Sequence, residues 1–189
     1  MRSIITVIAV ASLAYLGTMF DNFFAFAAQL VVTDQKRHRR VSWSQFLGVL
    51  TLVLIAGAVG SLLAPVPTRL IGLLFVVPWA LALYAWRQRR QPRREQFRRG
   101  VATTFLMTLA LGGDNLAVWI PIVRSKGTLA GFVTATVLLL WEIPFLLSAR
   151  ALATRPRIIS WGAKYGPSLI PWVYLGLGVL ILVECGTLR

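Results

Sequence analysis

Apolar runs of membrane-crossing length dominate this chain, and nearly all its charge is collected in the short segments between them. Six spans can be drawn, at about 3–32, 43–63, 69–86, 101–123, 128–148 and 165–185. Roughly 20 apolar residues in a helix cover the hydrocarbon core of a bilayer. Inside that core each backbone N–H and C=O needs a partner within the segment, which favours α-helices for runs of this kind. The expected class is an all-α membrane protein with six transmembrane helices. Composition agrees: 57% of residues are hydrophobic, only 14% are charged, and the mean hydropathy is +0.72. The opening MRSIITVIAVASLA (1–14) has the basic start and apolar core of a leader. The apolar stretch continues through Val32, too far for a cleaved signal, so it is read as helix one, long enough to tilt or to contain a break. The prolines of APVPT (64–68) turn span two into span three.

A net charge of +14 and a pI near 11.6 would suit a nucleic-acid binder if the charge lay on one folded face. Here it lies between the spans, as topology signals do, so no nucleic-acid partner is expected. Segments joining spans one–two, three–four and five–six carry Lys36, Arg37, Arg39, Arg40, Arg87, Arg89, Arg90, Arg93, Arg94, Arg98, Arg99, Arg150, Arg155, Arg157 and Lys164. The opposite side carries only Arg2, Arg69, Arg124, Lys126 and Arg189. The positive-inside rule makes the first side cytoplasmic and both termini outside, in a cell inner membrane or plasma membrane.

The two halves echo each other. GTMFDNFFAF (17–26) in span one corresponds to LGGDNLAVWI (111–120) in span four, each with Asp-Asn at membrane depth behind a glycine. With three spans per half, the second half must lie upside down relative to the first. Such inverted repeats hold the midplane sites of many secondary transporters. The expected organisation is one transmembrane domain over 1–189, with repeat one at 1–86, a basic cytoplasmic linker at 87–100 and repeat two at 101–189.

Of six acidic residues, Asp34 and Glu95 fall in loops, whereas Asp21, Asp114, Glu142 and Glu184 fall within spans. An ionised side chain near a helix centre costs about 2.5–3.5 kcal/mol on insertion scales. The spans contain almost no Lys or Arg away from their ends, so a cation from outside is the natural compensation. Gly112 and Gly113 weaken the helix before Asp114, and Pro121 frees the carbonyl near Ala117. Gly17 and Thr18 stand in the same relation to Asp21 and Asn22. Freed carbonyls beside Asp114 and Asn115 would line a cation pocket with oxygen. At helical spacing, Gln29 shares a face with Asn22, and Thr104 and Thr108 share one with Asn115. Met107, seven residues before Asp114, is a thioether at the same spacing and as readily a packing residue. Glu142, followed by Pro144, reads as a proton carrier or outer ligand. Glu184, near the outer end of span six, is explained most simply by solvent exposure. The lone Cys185 and lone His38 exclude a disulfide, a thiol cluster and a histidine-based zinc site.

GGDNLAVWIP (112–121) resembles the signature of the cadmium resistance transporter family, a branch of the LysE superfamily of small exporters. TMFDN (18–22), IGLLFVVPWALALYAW (71–86) and YLGLGVLILVECG (174–186) are similar to that family's first-half acidic motif, third span and last span. The resemblance covers nearly all the chain. It implies six helices in two inverted three-helix repeats and export of divalent cations, commonly Cd²⁺. It also implies Asp21, Asn22, Asp114 and Asn115 as the central metal-binding residues; Thr18, Gly113, Met107, Glu142 and Glu184 are outlying candidates from their spacing and membrane depth alone. Metal is then the transported substrate, and no bound cofactor is expected. Oxygen donors alone suit harder ions such as Mn²⁺, with Zn²⁺ between. Coupling by proton antiport fits a carboxylate pair that exchanges a metal for protons. The expected partners are the metal, the lipid bilayer and a second copy in a homodimer. An alternative cargo is a small organic cation such as a basic amino acid, held by cation–π contact with Phe20, Phe23, Phe24 and Phe26. An enzyme is not expected, because the spans carry no histidine, no Ser-Lys or Cys-His pairing and no hydrolase motif.

Overall fold

A computed structural model describes residues 4–88, 101–125 and 127–187; within these ranges the side chains of Asp21, 88, 101–103, 125, 127, 156, 159, 162, 163, 166 and 167 lie outside the description. The described residues are helical almost throughout: α1 (Ile4–Thr18), α2 (Phe20–Val32), α3 (His38–Leu62), α4 (Thr68–Ile71), α5 (Val76–Gln88), α6 (Val101–Leu111), α7 (Gly113–Ser125), α8 (Gly127–Ala153) and α9 (Pro156–Cys185). Most of the linker expected at 87–100 lies outside the described residues.

Four helical stretches, Gln35–Leu62, Thr68–Arg87, Thr128–Ala153 and Ser168–Cys185, are long and apolar enough to cross a membrane. Two bent pairs bring the total to six if each is one span: α1 with α2, bent by 54°, and α6 with α7, bent by 60°. The expected spans one and four are thus each split just before their Asp-Asn pair. Span three also departs from a plain helix, since a tight 3₁₀ turn at Gly72–Phe75 joins α4 to α5. Spans two and six start earlier than expected. α3 takes in His38, Arg39 and Arg40, and α9 begins at Pro156, a residue whose fixed φ suits a first helical turn.

Arginines mark the two ends of the bundle. Arg124, closing α7, donates to the carbonyls of Leu63, Ala64 and Val66 just past α3. Cations suit the exposed carbonyls at such a helix end. Arg150, near the end of α8, donates to Ser42 at the start of α3. The molecule therefore has an Arg124 end and an Arg150 end, at opposite ends of α3.

Packing crosses between the halves. α3 lies along both segments of the second bent pair, α8 lies along both segments of the first, and α5 lies against α9. Small residues permit the closest approaches. A Cβ at Gly48 would sit 2.7 Å from the Thr108 side chain, and one at Gly112 would sit 2.4 Å from a Leu52 methyl. Apolar side chains such as Ile5, Leu54, Leu129 and Phe132 face outward, so the outer surface is as apolar as the core. Packing and internal hydrogen bonds, rather than hydrophobic burial, then decide how such helices associate in lipid.

Candidate metal-binding site

Both bends keep their backbone hydrogen bonding. Met19 separates α1 from α2 with φ −91° and ψ 3°, yet its N–H still donates to Tyr15 and its carbonyl still accepts from Phe23. Gly112 donates to Leu109 in a tightened turn, and its carbonyl accepts from Leu116. The Tyr15, Met19, Leu109 and Gly112 carbonyls at these breaks are therefore occupied. α7 runs on through Pro121 to Ser125, and Pro121 has no N–H to offer the Ala117 carbonyl. Polar side chains also stand beside both bends.

Those side chains converge. Asn22 and Asn115, one from each bent pair, both turn their amide nitrogens to the sulfur of Met19, at 3.7 Å and 3.4 Å. All three residues are buried. The Asn115 Oδ1 is buried with no hydrogen-bond partner among the described residues, a costly state for an amide oxygen. Asp114 is half-buried beside it. One carboxylate oxygen accepts the Asn115 N–H at 2.8 Å, and the other accepts the Tyr174 hydroxyl from α9. Its place in the first turn of α7 sets its charge against the positive end of that helix. Asp21 occupies the same second position in α2, and its side chain lies outside the described residues.

One helical turn to either side of this level lies a polar pair. Towards the Arg124 end, the Tyr15 hydroxyl of α1 donates to Glu142 Oε2 of α8 at 2.5 Å. Towards the Arg150 end, the Thr108 hydroxyl of α6 reaches Gln45 Oε1 of α3 at 2.5 Å and the Thr104 carbonyl at 2.9 Å. Tyr15 and Thr108 are 93 positions apart, as are Asp21 and Asp114. The Tyr15 ring stacks on Trp119 at 6.3 Å, and the Trp119 indole N–H donates to Thr18. On the Arg150 side, Gln29 donates to Thr104 at 2.6 Å. Together with Asn22, Gln45, Met107 and Thr108 they line a shallow recess with about 10 Å³ of room for water.

The outlying candidates divide. Met107 lies in that recess with Gln29, Thr104 and Thr108; Gln29 shares it with Asn22, as helical spacing implied, whereas Asn115, whose face Thr104 and Thr108 share by spacing, is not in its lining. Thr18 has its hydroxyl engaged by the Ala14 carbonyl and the Trp119 indole. Gly113 is exposed, with nothing near the position of a Cβ. Glu142 is fully buried one turn from the asparagines, on Tyr15. Glu184 is buried too, at 9% exposure in the last turn of α9, so solvent exposure does not explain it. Among the described residues no group of three His, Cys, Asp or Glu side chains could hold a metal.

Four residues of this site carried no signal that spacing from the Asp-Asn pairs picked out: Met19, Tyr15, Tyr174 and Gln45. Tyr15 could have been found by applying the 93-residue offset to Thr108. The phenols matter because they serve where basic partners were sought: Glu142 and Asp114 each take a tyrosine hydroxyl.

No match was found among curated proteins or among solved structures. The model of the cadmium resistance transporter family matches residues 15–189, all but the first fourteen positions. Taken with its apolar helices, the chain is a multi-pass membrane protein and belongs to the cadmium resistance transporter family.

Proposed function

We propose that the protein exports divalent metal, Cd²⁺ in the first place, by alternating access between two inverted three-helix repeats. One observation carries the reading: side chains from both bent helices meet at a single buried sulfur, with an amide oxygen beside it that lacks a partner. An asparagine amide turned by half a rotation offers its oxygen where its nitrogen now stands. Asn22, Asn115 and Met19 then present two oxygens and a thioether, with the Asp114 and Asp21 carboxylates supplying negative charge. The sulfur matters for choice of metal, because thioethers favour softer ions while oxygen-only shells favour harder ones such as Mn²⁺. Zn²⁺ stands between them.

The repeat reading draws on the exchanged packing and the two polar layers. The pairs Tyr15–Glu142 and Thr108–Gln45 are made by corresponding helices on opposite sides of the site. With the basic Arg150 end in the cytoplasm, the recess at Asn22 and Gln29 is the cytoplasmic approach, and the Tyr15–Trp119 layer closes the outer one. Rocking of the repeats would open that layer and release the metal outside. Protons taken up by the emptied carboxylates would return it to the loading state. An organic cation fits less well, because Phe20, Phe23, Phe24 and Phe26 pack on one another and on Phe145 at 5.4–6.0 Å, which leaves no open aromatic cage.

Asp21→Asn and Asp114→Asn should each abolish cadmium tolerance in a sensitive host while inserting normally; unchanged tolerance in both ends the proposal. Calorimetric titration with Cd²⁺, Zn²⁺, Mn²⁺ and Ca²⁺ refines it. Met19→Leu, which conserves volume, should weaken Cd²⁺ about tenfold relative to Mn²⁺. An unaltered ratio removes sulfur from the shell.

A further inference from the structure

We propose that Glu142 is a proton-binding site, separate from the metal-binding level, through which transport is coupled to a proton gradient. The inference rests on the transport reading above and adds a residue to it. Glu142 is fully buried in the middle of α8. One of its oxygens accepts the Tyr15 hydroxyl, and the other has no hydrogen-bond partner among the described residues. Aromatic rings surround the pair: Tyr15 stacks on Trp119 at 6.3 Å and on Trp141 at 6.4 Å, and meets the edge of Phe145 at 6.3 Å. A bare carboxylate oxygen in such a place needs positive charge. A divalent metal needs several donors, and among the described residues the one polar side chain that meets Glu142 is the Tyr15 phenol. A proton needs one oxygen.

The molecule contains its own control. In the corresponding layer, Gln45 accepts the Thr108 hydroxyl at the same 2.5 Å. A neutral amide therefore suffices to tie α3 to α6, and the bond to Tyr15 gives no reason for Glu142 to be an acid. Ionisability is a property beyond the hydrogen bond.

Charged neighbours do not account for it either. From α1 the facing titratable group is Tyr15 itself. Asp114 of α7 is engaged by Tyr174, Arg124 by the carbonyls past α3, and Arg150 by Ser42. On α3, His38 lies by the Thr33 carbonyl and Arg39 and Arg40 are exposed; on α9, Glu184 is near the far end. The Asp21 side chain of α2 lies outside the described residues. Among the described residues, Tyr15 is the one polar contact of Glu142.

Its position supplies the coupling. The stacked rings of Tyr15 and Trp119 bar Glu142 from solvent at the Arg124 end, so a proton is exchanged there only when that layer parts. Opening that releases metal thus also loads the proton. Metal arriving at Met19, one turn away, repels the proton and favours its loss on the opposite side.

The test is reconstitution into liposomes with a pH-sensitive dye inside and a Cd²⁺ gradient across the membrane. Wild type should move protons against Cd²⁺. Glu142→Gln, which keeps an acceptor for Tyr15 as Gln45 does for Thr108, should bind Cd²⁺ in detergent as wild type does while moving fewer protons per Cd²⁺ than wild type. An unchanged number of protons per metal in Glu142→Gln overturns the inference. Wild type that moves Cd²⁺ without protons overturns it and leaves the metal reading intact, whereas wild type that moves no Cd²⁺ overturns both. If Glu142→Gln does not fold, wild type is treated with dicyclohexylcarbodiimide, which modifies protonated carboxyls in apolar surroundings. Adducts mapped to Glu142 and declining at higher pH support the site; none at Glu142 overturns it.

Discussion

The two bent helices each turn just before an Asp-Asn pair, but with different chemistry at the turn. The first turns at Met19, a long side chain whose sulfur becomes the meeting point of both asparagines. The second turns at Gly112, where even a Cβ would collide with Leu52. One turn away, the first is tied by Tyr15 to an acid on α8, and the second by Thr108 to an amide on α3. The Thr108 hydroxyl has a second acceptor in the Thr104 carbonyl, whereas the Tyr15 hydroxyl has one acceptor. The two bends correspond in position along the chain but not in chemistry. One turns on a long thioether side chain, the other on a residue with none, whose bare Cα makes room for Leu52 of α3.

That asymmetry can be broken outright. Gly112→Met, which would make the second bend resemble the first, drives a side chain into Leu52 and the Thr108 carbonyl. Overpacking of this kind costs about 1–3 kcal/mol and sometimes more, so it should give the largest loss of melting temperature in detergent among these variants. A melting point equal to wild type would mean that α3 and α6 are not held that close. Next comes the acid layer. Glu142→Leu leaves the buried Tyr15 hydroxyl unpaired and should cost about 1–3 kcal/mol. Gln45→Leu should cost less, about 0.6 kcal/mol as for an average membrane hydrogen bond, because Thr108 falls back on its own helix. Equal losses in the two variants would show that the layers are energetically alike. Gly113→Ala should be smallest, within about 0.5 kcal/mol, since nothing lies near its Cβ position. A drop as large as that of Gly112→Met would place the tight contact one residue later.

Much of the fold was legible because membrane insertion is read from local composition. The six apolar runs appear as helices close to their expected ranges, with a break before each Asp-Asn pair. Gln29 lines one recess with Asn22, as helical periodicity implied, and Thr104 and Thr108 of the other half line the same recess, which periodicity alone did not imply. The occupied carbonyls at Met19 and Gly112 were not legible, because a weak helix former does not say whether the chain will open or merely bend. Neither were the tyrosines. A phenol at a helix face reads as packing until the carboxylate it meets is known.

The sequence by itself determined the class of the molecule and the depth of its acid groups. Run length and the cost of charge in hydrocarbon are properties of each segment alone. Only the tertiary structure decided which side chains meet: Asn22 and Asn115 at Met19, and Tyr15 at Glu142 across 127 residues of chain. The physical reason is that apolar helix faces are nearly interchangeable, so the choice of partner falls to close approach at small residues and to the few polar groups that must find one another.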